Sequence, residues 1–151
     1  MPDFEQLRDG LQKAIPFNKH LALKILEISE GKAVVLLPDH KRLHNHVGSQ
    51  HAGGLFAAGE AASGGAFLGT FSEHMEGITA LAKSAGIEYV KLAKGEITAT
   101  GTLEHDAADI IDGIDGEEGK AEFPVGVEMK DEGGQVVATM TVRWHVRRTE
   151  S

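Results

Sequence analysis

Residues 52–71 read AGGLFAAGEAASGGAFLGTF, and this stretch decides the fold. Six of its residues are glycine, six are alanine, and Glu60 carries its single charge. Each glycine costs a helix about 1 kcal/mol relative to alanine, so such a helix persists only when tertiary packing holds it. Small side chains also allow a sheet to approach closely. We therefore predict that 52–71 forms the central buried helix.

A membrane span of the same length is the competing interpretation of this stretch. Only five of its residues are large and apolar, and insertion would bury the charge of Glu60 at considerable cost. The formal net charge of the chain is −8, which disfavours a general nucleic-acid binder and a protein held at an anionic membrane surface. We expect neither a membrane nor a nucleic acid as a partner.

The length of 151 residues predicts a single domain, residues 1–151, with a core of its own. There is no cysteine, so disulfides and thiolate metal sites are excluded and a reducing cytoplasm is expected. Residues 1–5 contain no basic region followed by an apolar run, and we expect no signal peptide.

Around the central helix the pattern predicts a short N-terminal helix within residues 1–15, ended by Pro16, and then strands. The predicted strands form three pairs with turn residues between them: 21–28 with 33–37, 87–91 with 97–103, and 123–129 with 136–146. Between the second and third pairs lies the acidic segment 105–120, for which we expect a loop with one helical turn. Pro124 indicates an edge position or a bulge.

Short connections favour one antiparallel sheet of about six strands, and the single long apolar helix must lie against its concave face. This is the α+β arrangement called the hotdog fold.

The start of the central helix offers chemistry of its own. The first N–H groups of a helix lack intrahelical acceptors and carry partial positive charge, so they can stabilise an oxyanion. Asn45 and His51 lie just before the helix, and Glu60 can act as a base or a nucleophile. Oxyanion donors together with a buried carboxylate point to acyl transfer or hydrolysis.

Each of these residues also has a structural explanation. Asn45 could simply hold its loop, His51 could cap the helix, and Glu60 could form a buried salt bridge with Lys83 or Arg143. A metal site is a further alternative, because four histidines fall within twelve residues: His40, His44, His46 and His51. No Asp or Glu accompanies them at ligand spacing, and we predict no metal.

The spacing of Asn45, the run His51-Ala52-Gly53 and Glu60 resembles the hotdog-fold acyl-CoA thioesterase superfamily. The similarity is greatest to its phenylacetyl-CoA thioesterase-like branch, including the uncharacterised relatives of that branch. Residues 15–21 and 87–96 resemble further segments of the family, and the resemblance covers roughly residues 15–147.

The resemblance implies a thioester hydrolase. Glu60 would take the position of nucleophile or general base, Asn45 and His51 would orient the substrate, and the N–H of Ala52 would take the oxyanion position. The resemblance also implies a site formed between two subunits, and hence a homodimer or homotetramer. Coenzyme A would be part of the substrate, with no separate cofactor. As substrate-binding candidates we name Gly53, Ser84, Lys91 and Lys94.

Three positions depart from the family pattern. Ala52 stands where glycine is usual, and Ala82 stands where a hydroxyl residue often faces the carboxylate, with Thr79 and Ser84 only nearby. Residues 112–118, in the loop that commonly helps to hold coenzyme A, read DGIDGEE and would repel phosphates. Three functions therefore stay open: hydrolysis of an acyl-CoA or acyl-carrier thioester, non-catalytic binding of an acyl or aromatic ligand, and enoyl-thioester hydration or dehydration.

Overall fold

The computed structural model describes residues 2–149, which form an antiparallel sheet, a long central α-helix and three shorter α-helices. The helices are α1 (Phe4–Ala14), α2 (Pro16–His20), α3 (Ala52–Phe71) and α4 (Ala107–Asp115). The strands are β1 (Lys24–Ser29), β2 (Lys32–Leu37), β3 (Ile78–Tyr89), β4 (Ile97–Thr102), β5 (Lys120–Lys130) and β6 (Val136–Arg148).

The central helix α3 lies against the concave face of the sheet, as its small residues predict. A Cβ atom built on Gly101 of β4 would lie 2.5 Å from the carbonyl oxygen of Ala62 on α3. A Cβ atom built on Gly65 would lie 2.6 Å from the Cβ atom of Ala33 on β2. The backbones thus approach so closely that only glycine fits, and this packing compensates for the poor helix propensity of α3.

The six strands are ordered β1-β2-β4-β5-β6-β3, and every neighbouring pair is antiparallel. The hotdog fold predicted from the element order is therefore confirmed. Along β6 the even-numbered residues from Ala138 to Val146 are buried under the helix, whereas Thr139, Thr141, Arg143 and Arg147 face outward and are exposed.

The predicted hairpin of residues 87–91 with 97–103 is wrong. The strand that ends at Tyr89 begins at Ile78 and pairs with β6, while β4 pairs with β2 and β5. β6 is thirteen residues long and gives all of β3 a partner, so residues 90–96 cross the end of the sheet instead of turning back. The N–H groups of Val90 and Lys91 donate to the carbonyl of Val137, at 2.9 and 3.2 Å.

Helices α2 and α4 refine the predictions around them. The first helix does end before Pro16, but Pro16 itself begins the short helix α2, which suits a residue with no N–H to satisfy. The acidic segment contains more than one helical turn: α4 runs over nine residues and buries Ile110 and Ile114. Pro124 lies where β5 extends beyond the end of β4, which is locally an edge.

The two edges of the sheet differ in their protection. Helix α1 covers the β1 edge, where the Gln12 side chain donates to Leu23 O at 2.9 Å and accepts from Ile25 N at 2.7 Å. The β3 edge runs for twelve residues with no neighbouring strand from residues 2–149, and Leu81 on it is 67% exposed. A long uncovered edge is a surface that pairs readily with another strand.

No helix within residues 2–149 combines the length and the apolar character needed to cross a membrane.

Candidate active site

Glu60 lies in the third turn of α3 and is partly buried. Its carboxylate makes no hydrogen bond or ion pair with any of residues 2–149. The proposed salt bridge to Lys83 or Arg143 is wrong, because Lys83 Nζ binds Glu122 Oε2 at 2.8 Å and Arg143 faces outward from the sheet. Burial without a compensating charge raises the pKa of the Glu60 carboxyl above its ordinary value of 4.5.

A cavity of about 170 Å³ opens beside the Glu60 carboxylate. It lies between α1, α2 and α3 and reaches the inner face of β6 and β3. Its wall is almost entirely apolar, and the polar groups that reach it come from few side chains. The lining residues are Leu11, Ile15, Asn18, Ile25, Glu60, Ala61, Gly64, Phe67, Leu68, Met75, Ala80 and Trp144.

The N-terminus of α3 is capped by His51. Its Nδ1 atom accepts the N–H of Gly53 at 2.8 Å, and its carbonyl accepts from Gly54 and Leu55 at 3.0 and 3.1 Å. The N–H of Ala52 has no acceptor among residues 2–149. Since Nδ1 accepts, the neutral ring of His51 has its proton on Nε2. The helix start therefore presents two adjacent donors, the Ala52 N–H and the imidazole Nε2–H.

Asn45 organises the loop that precedes this helix. Its side-chain oxygen accepts from Val47 N and Ser49 N at 3.0 and 3.1 Å, and its side-chain nitrogen donates to Ser49 Oγ and Gln50 O at 2.8 and 3.3 Å. Both ends of the amide are thus used inside the loop. Asn45 shapes the loop that carries His51, and its predicted contact with a substrate stays a prediction.

Two residues that the sequence analysis did not single out fix the helix start from outside. The buried side chain of Gln50 donates to Pro38 O and Gly95 O, both at 2.9 Å, so it fastens the loop to the crossing segment 90–96. The Tyr89 hydroxyl, at the end of β3, donates to the carbonyl of Ala52 at 3.1 Å. Nothing in the local pattern marks either contact, because both join segments far apart in the chain.

The remaining candidates lie in three different places. Gly53 is at the helix start, but its N–H is already taken by His51. Ser84 pairs with Arg143 on the outward face, since Lys83 forms a bulge in β3, whereas Ala82 pairs with Trp144 on the inner face. Lys91 and Lys94 are exposed on the crossing segment next to the loop of Asn45.

The histidines before α3 do not converge. His44 Nε2 lies 2.6 Å from Asp39 Oδ1, and the ring of His51 caps the helix. Within residues 2–149 no group of three or more His, Asp or Glu side chains is arranged to hold a metal ion.

The acidic segment packs at the far end of β3 from Ala52. Ile111, Ile114 and Asp115 line a groove with Ile78, where β3 begins. Arg148 donates to the carbonyl of Gly116 at 3.0 Å, so its positively charged side chain lies next to the acidic segment.

Comparison with known proteins agrees with this fold. The closely superimposable structures include a Pseudomonas aeruginosa protein of unknown function described as a probable thioesterase, with a TM-score of 0.84, 28% identity and 98% of both chains covered. They also include the PaaI protein from the phenylacetic acid degradation operon of E. coli, with a TM-score of 0.73, 20% identity and 97% and 94% of the two chains covered. Among curated proteins, none matches this sequence.

A thioesterase of Staphylococcus aureus has the same fold, with a TM-score of 0.70, 19% identity, and 88% of this chain and 99% of the other covered. The family described as a domain of unknown function, DUF4442, matches residues 5–146, nearly the whole chain. The chain therefore belongs to the DUF4442 family, and its fold is the hotdog fold of the thioesterase superfamily.

Proposed function

We propose that this chain is a thioester hydrolase that acts on an acyl-CoA. The observation that carries the proposal is the unpaired Glu60 carboxylate at the wall of an apolar cavity. A carboxylate whose pKa is raised by burial is a stronger base once it is ionised, and such groups concentrate at catalytic sites. The likeness to a P. aeruginosa protein described as a probable thioesterase supports the same reaction class.

In the reaction, the oxygen of a water molecule attacks the thioester carbonyl carbon while Glu60 accepts a proton from that water. The charge that develops on the carbonyl oxygen is stabilised by the Ala52 N–H. The carbon–sulfur bond then breaks, and the departing thiolate takes the proton from Glu60. A free acid and a thiol result, and the carboxylate is restored. Direct attack by Glu60 on the carbonyl carbon, with later hydrolysis of the anhydride, is the second route.

Within one chain, Ala52 and Glu60 are poorly placed to serve the same carbonyl. Ala52 and Glu60 are eight residues apart on α3, which is about 12 Å along a helix axis. The glutamate side chain leans toward the helix start but spans less than half of that distance. Reacting atoms must come within about 3.5 Å of each other. We therefore propose that Ala52 of one protomer and Glu60 of another form each site.

The exposed edge of β3 supports this arrangement. Its uncovered backbone groups, together with exposed Leu81, Tyr89, Val90 and Leu92, form a surface that a second copy of β3 can cover. The Tyr89 end of this strand is bonded to Ala52, so pairing at β3 brings the helix start of one protomer toward the other. A homodimer is the smallest assembly that completes the site, and a dimer of dimers would contain the same pair.

The neighbouring residues would assist without taking part in bond breaking. His51 presents Nε2–H beside the Ala52 N–H, and Asn45 holds the loop that carries His51. Lys91 and Lys94 are exposed cations at the same end of the molecule and could bind the phosphates of coenzyme A. An acyl carrier protein is the less favoured donor because both proteins would be acidic.

The decisive experiment is hydrolysis of short, medium, aromatic and long acyl-CoAs by the wild type and by Glu60→Gln. General base or nucleophilic catalysis predicts a loss of at least about 100-fold in kcat for the variant. Unchanged hydrolysis would rule out Glu60 as the catalytic group. A single turnover in ¹⁸O-water separates the two routes, because a nucleophilic Glu60 can retain the label in its own carboxylate.

The alternatives give different results in the same experiment. A non-catalytic module would be stabilised by acyl-CoAs and cleave none of them. A hydratase would convert an enoyl-CoA to its hydroxyacyl product without releasing the thiol.

A further inference from the structure

The buried side chain of Gln50 contains an atom that the proposed reaction does not explain. The residue is 3% exposed, and its Oε1 is the one buried side-chain nitrogen or oxygen within residues 2–149 that lacks a hydrogen-bond partner. Nε2 donates to Pro38 O and Gly95 O, both at 2.9 Å, so turning the amide round would set Oε1 against these two carbonyls. A buried acceptor without a donor destabilises a fold. The reason for a glutamine at this position must therefore lie in what its Nε2 bonds hold in place.

The bonds of Gln50 fasten the far end of the crossing segment 90–96 to the start of α3. Its backbone N–H donates to Ala93 O at 2.7 Å, and its side chain donates to Gly95 O, two residues further on. The next residue after Gln50 is His51, the N-cap of the helix. The end of the crossing segment is thus separated from the helix cap by a single residue, Gln50.

The near end of the same segment is fastened to the helix start by Tyr89. The Tyr89 hydroxyl donates to Ala52 O at 3.1 Å, and the crossing segment begins at the next residue. Gln50 and Ala52 are the two residues that flank His51. The segment is therefore tied at both ends to the part of the chain that presents the Ala52 N–H.

Two exposed cations, Lys91 and Lys94, lie between these ties. They are the side chains assigned above to the phosphates of coenzyme A. Phosphates bound to both lysines would fix the segment, and the bonds of Gln50 and Tyr89 would pass that restraint to the helix start. Binding energy gained far from the reacting atoms can be used in this way to orient the groups that stabilise the transition state.

We propose that Gln50 is a positioning residue, which links the binding of the substrate phosphates at Lys91 and Lys94 to the position of the Ala52 N–H. The proposal rests on the proposed hydrolase function for the reaction that this N–H serves. Gln50 does not touch the reacting atoms. Through it, phosphate binding raises kcat as well as affinity.

The first test compares full substrates with truncated ones that lack the phosphates: butyryl-CoA with butyryl-N-acetylcysteamine, and phenylacetyl-CoA with phenylacetyl-N-acetylcysteamine. When a remote group positions the reacting atoms, substrates that lack it lose kcat and not only affinity. For each acyl group that is hydrolysed, we expect the wild type to have a kcat about tenfold or more higher with the CoA thioester. Equal kcat values for the two members of a pair would overturn the proposal.

Gln50→Met keeps the length of the side chain and removes both Nε2 bonds. We expect it to lower kcat for the CoA thioester by about tenfold and to leave kcat for the truncated thioester within a few-fold, so that the two values converge. General damage to the fold or to the site would lower kcat by the same factor for both thioesters. That equal loss would overturn the proposal, as would an unchanged kcat for the CoA thioester.

The double variant Lys91→Ala/Lys94→Ala makes the same comparison without touching a buried residue. It should lower kcat for the CoA thioester, beyond any rise in KM, and leave the truncated thioester unaffected. Lys13→Ala/Lys24→Ala is the matched control, because it removes two exposed cations from α1 and β1 and should leave both kcat values unchanged. A lysine pair at 91 and 94 that affects KM alone would show that phosphate binding is not linked to the helix start.

Combining Gln50→Met with Lys91→Ala/Lys94→Ala shows whether the lysines act through Gln50. If they do, the combined variant should have a kcat for the CoA thioester no lower than the lower of its two parents. Losses that multiply would mean that the two changes act independently, and the proposal would be wrong.

Hydrogen exchange separates this proposal from the hydrolase assignment, because it needs no turnover. Coenzyme A alone should slow exchange of the Gly53 and Gly54 N–H groups in the wild type and leave it unchanged in Gln50→Met. This result is expected even if no thioester is cleaved, which would refute only the hydrolase function. If coenzyme A leaves this exchange unchanged in the wild type, the Gln50 proposal fails while hydrolysis can still stand.

Discussion

The indole N–H of Trp144 donates to the Ser63 hydroxyl at 2.9 Å, and that hydroxyl donates to the carbonyl of Glu60 at 2.7 Å. Trp144 lies on β6 and Ser63 on α3, so this pair joins the sheet to the helix one turn from the candidate catalytic residue. Both side chains are buried, and each satisfies a polar group of the other. The bond therefore fixes the depth and rotation of α3 at Glu60.

Replacing Ser63 by alanine should destabilise the protein. The buried indole N–H would lose its acceptor, at a cost of about 1–3 kcal/mol. Thr70→Ala is the matched control, because the Thr70 hydroxyl makes only a long bond of 3.4 Å to a carbonyl of its own helix. Denaturant unfolding of Ser63→Ala, Trp144→Phe and the double variant measures the coupling between the two residues, and additive effects would show that the pair is not coupled.

Ala52→Pro should remove catalysis and leave the fold intact. Proline is favoured at the first position of a helix, and the N–H that it removes has no acceptor in the described part of the chain. The residue before it, His51, has φ −65° and ψ 140°, which a following proline accepts. Loss of one oxyanion donor predicts a fall of about 100- to 1000-fold in kcat. Ala52→Gly keeps the N–H, and its kcat should stay within a few-fold of the wild type.

Glu60 should make both activity and stability depend on pH. Hydrolysis needs the ionised carboxylate, so kcat/KM should fall as pH falls through a value above 4.5. Because burial penalises the charged form, the folded state loses stability as pH rises through that raised pKa. Glu60→Gln should therefore be more stable than the wild type at pH 8, and the difference should shrink as pH is lowered toward 4.5. A difference that stays constant from pH 8 to pH 5 would contradict this account.

Gly101→Ala should destabilise the protein severely. The new Cβ atom would lie 2.5 Å from Ala62 O and 2.7 Å from Ala62 C, and neither backbone can move without separating α3 from the sheet. We expect a loss of more than about 3 kcal/mol in the free energy of unfolding. Gly126→Ala, on the adjacent strand, meets nothing within 4 Å and should change stability by less than about 1 kcal/mol. Equal melting temperatures for the two variants would disprove the close approach at Gly101.

A charge on the β3 edge should break the proposed dimer. Leu81→Asp places an unpaired carboxylate on that edge, where Leu81 is 67% exposed in the single chain. Light scattering after size exclusion should find monomers at micromolar concentration, and hydrolysis should be lost because each site needs two chains. Leu26→Asp is the control on the opposite edge strand and should keep both the assembly and the activity. A Leu81→Asp protein that remains dimeric would place the interface elsewhere.

The central helix and the faces of the strands could be read from the sequence alone. The glycines and alanines of 52–71 predict close packing of the helix on the sheet, because the small volume of these side chains is known from the sequence. The close contacts at Gly65 and Gly101 confirm this prediction. The alternation along β6 likewise follows from the pleat of a strand, which puts Val142 inward and Arg143 outward whatever the partner strand is.

The pairing of strands was decided by the tertiary structure. Residues 93–96 have the composition of a turn, and Gly95 adopts a positive φ of 76°. The same backbone bend is compatible with a segment that crosses the sheet and with a hairpin, so composition does not distinguish the two. In the sheet, β6 pairs with β5 on one side and with β3 on the other. No local sequence pattern predicts which strand occupies that second side. The resulting bulge at Lys83 turns Ser84 outward, so its position could not be predicted from spacing.

The candidate site divides in the same way. The sequence by itself determined that a single carboxylate, Glu60, lies on an apolar helix that follows the polar loop of Asn45 and His51. Residue composition and spacing are sufficient for this prediction. Only the tertiary structure decided that, among residues 2–149, Glu60 has no ion-pair partner and the Ala52 N–H has no acceptor. It also decided that His51 caps Gly53 and that Asn18 lines the same cavity as Glu60. Those facts depend on contacts between distant segments, and packing rather than local sequence sets them.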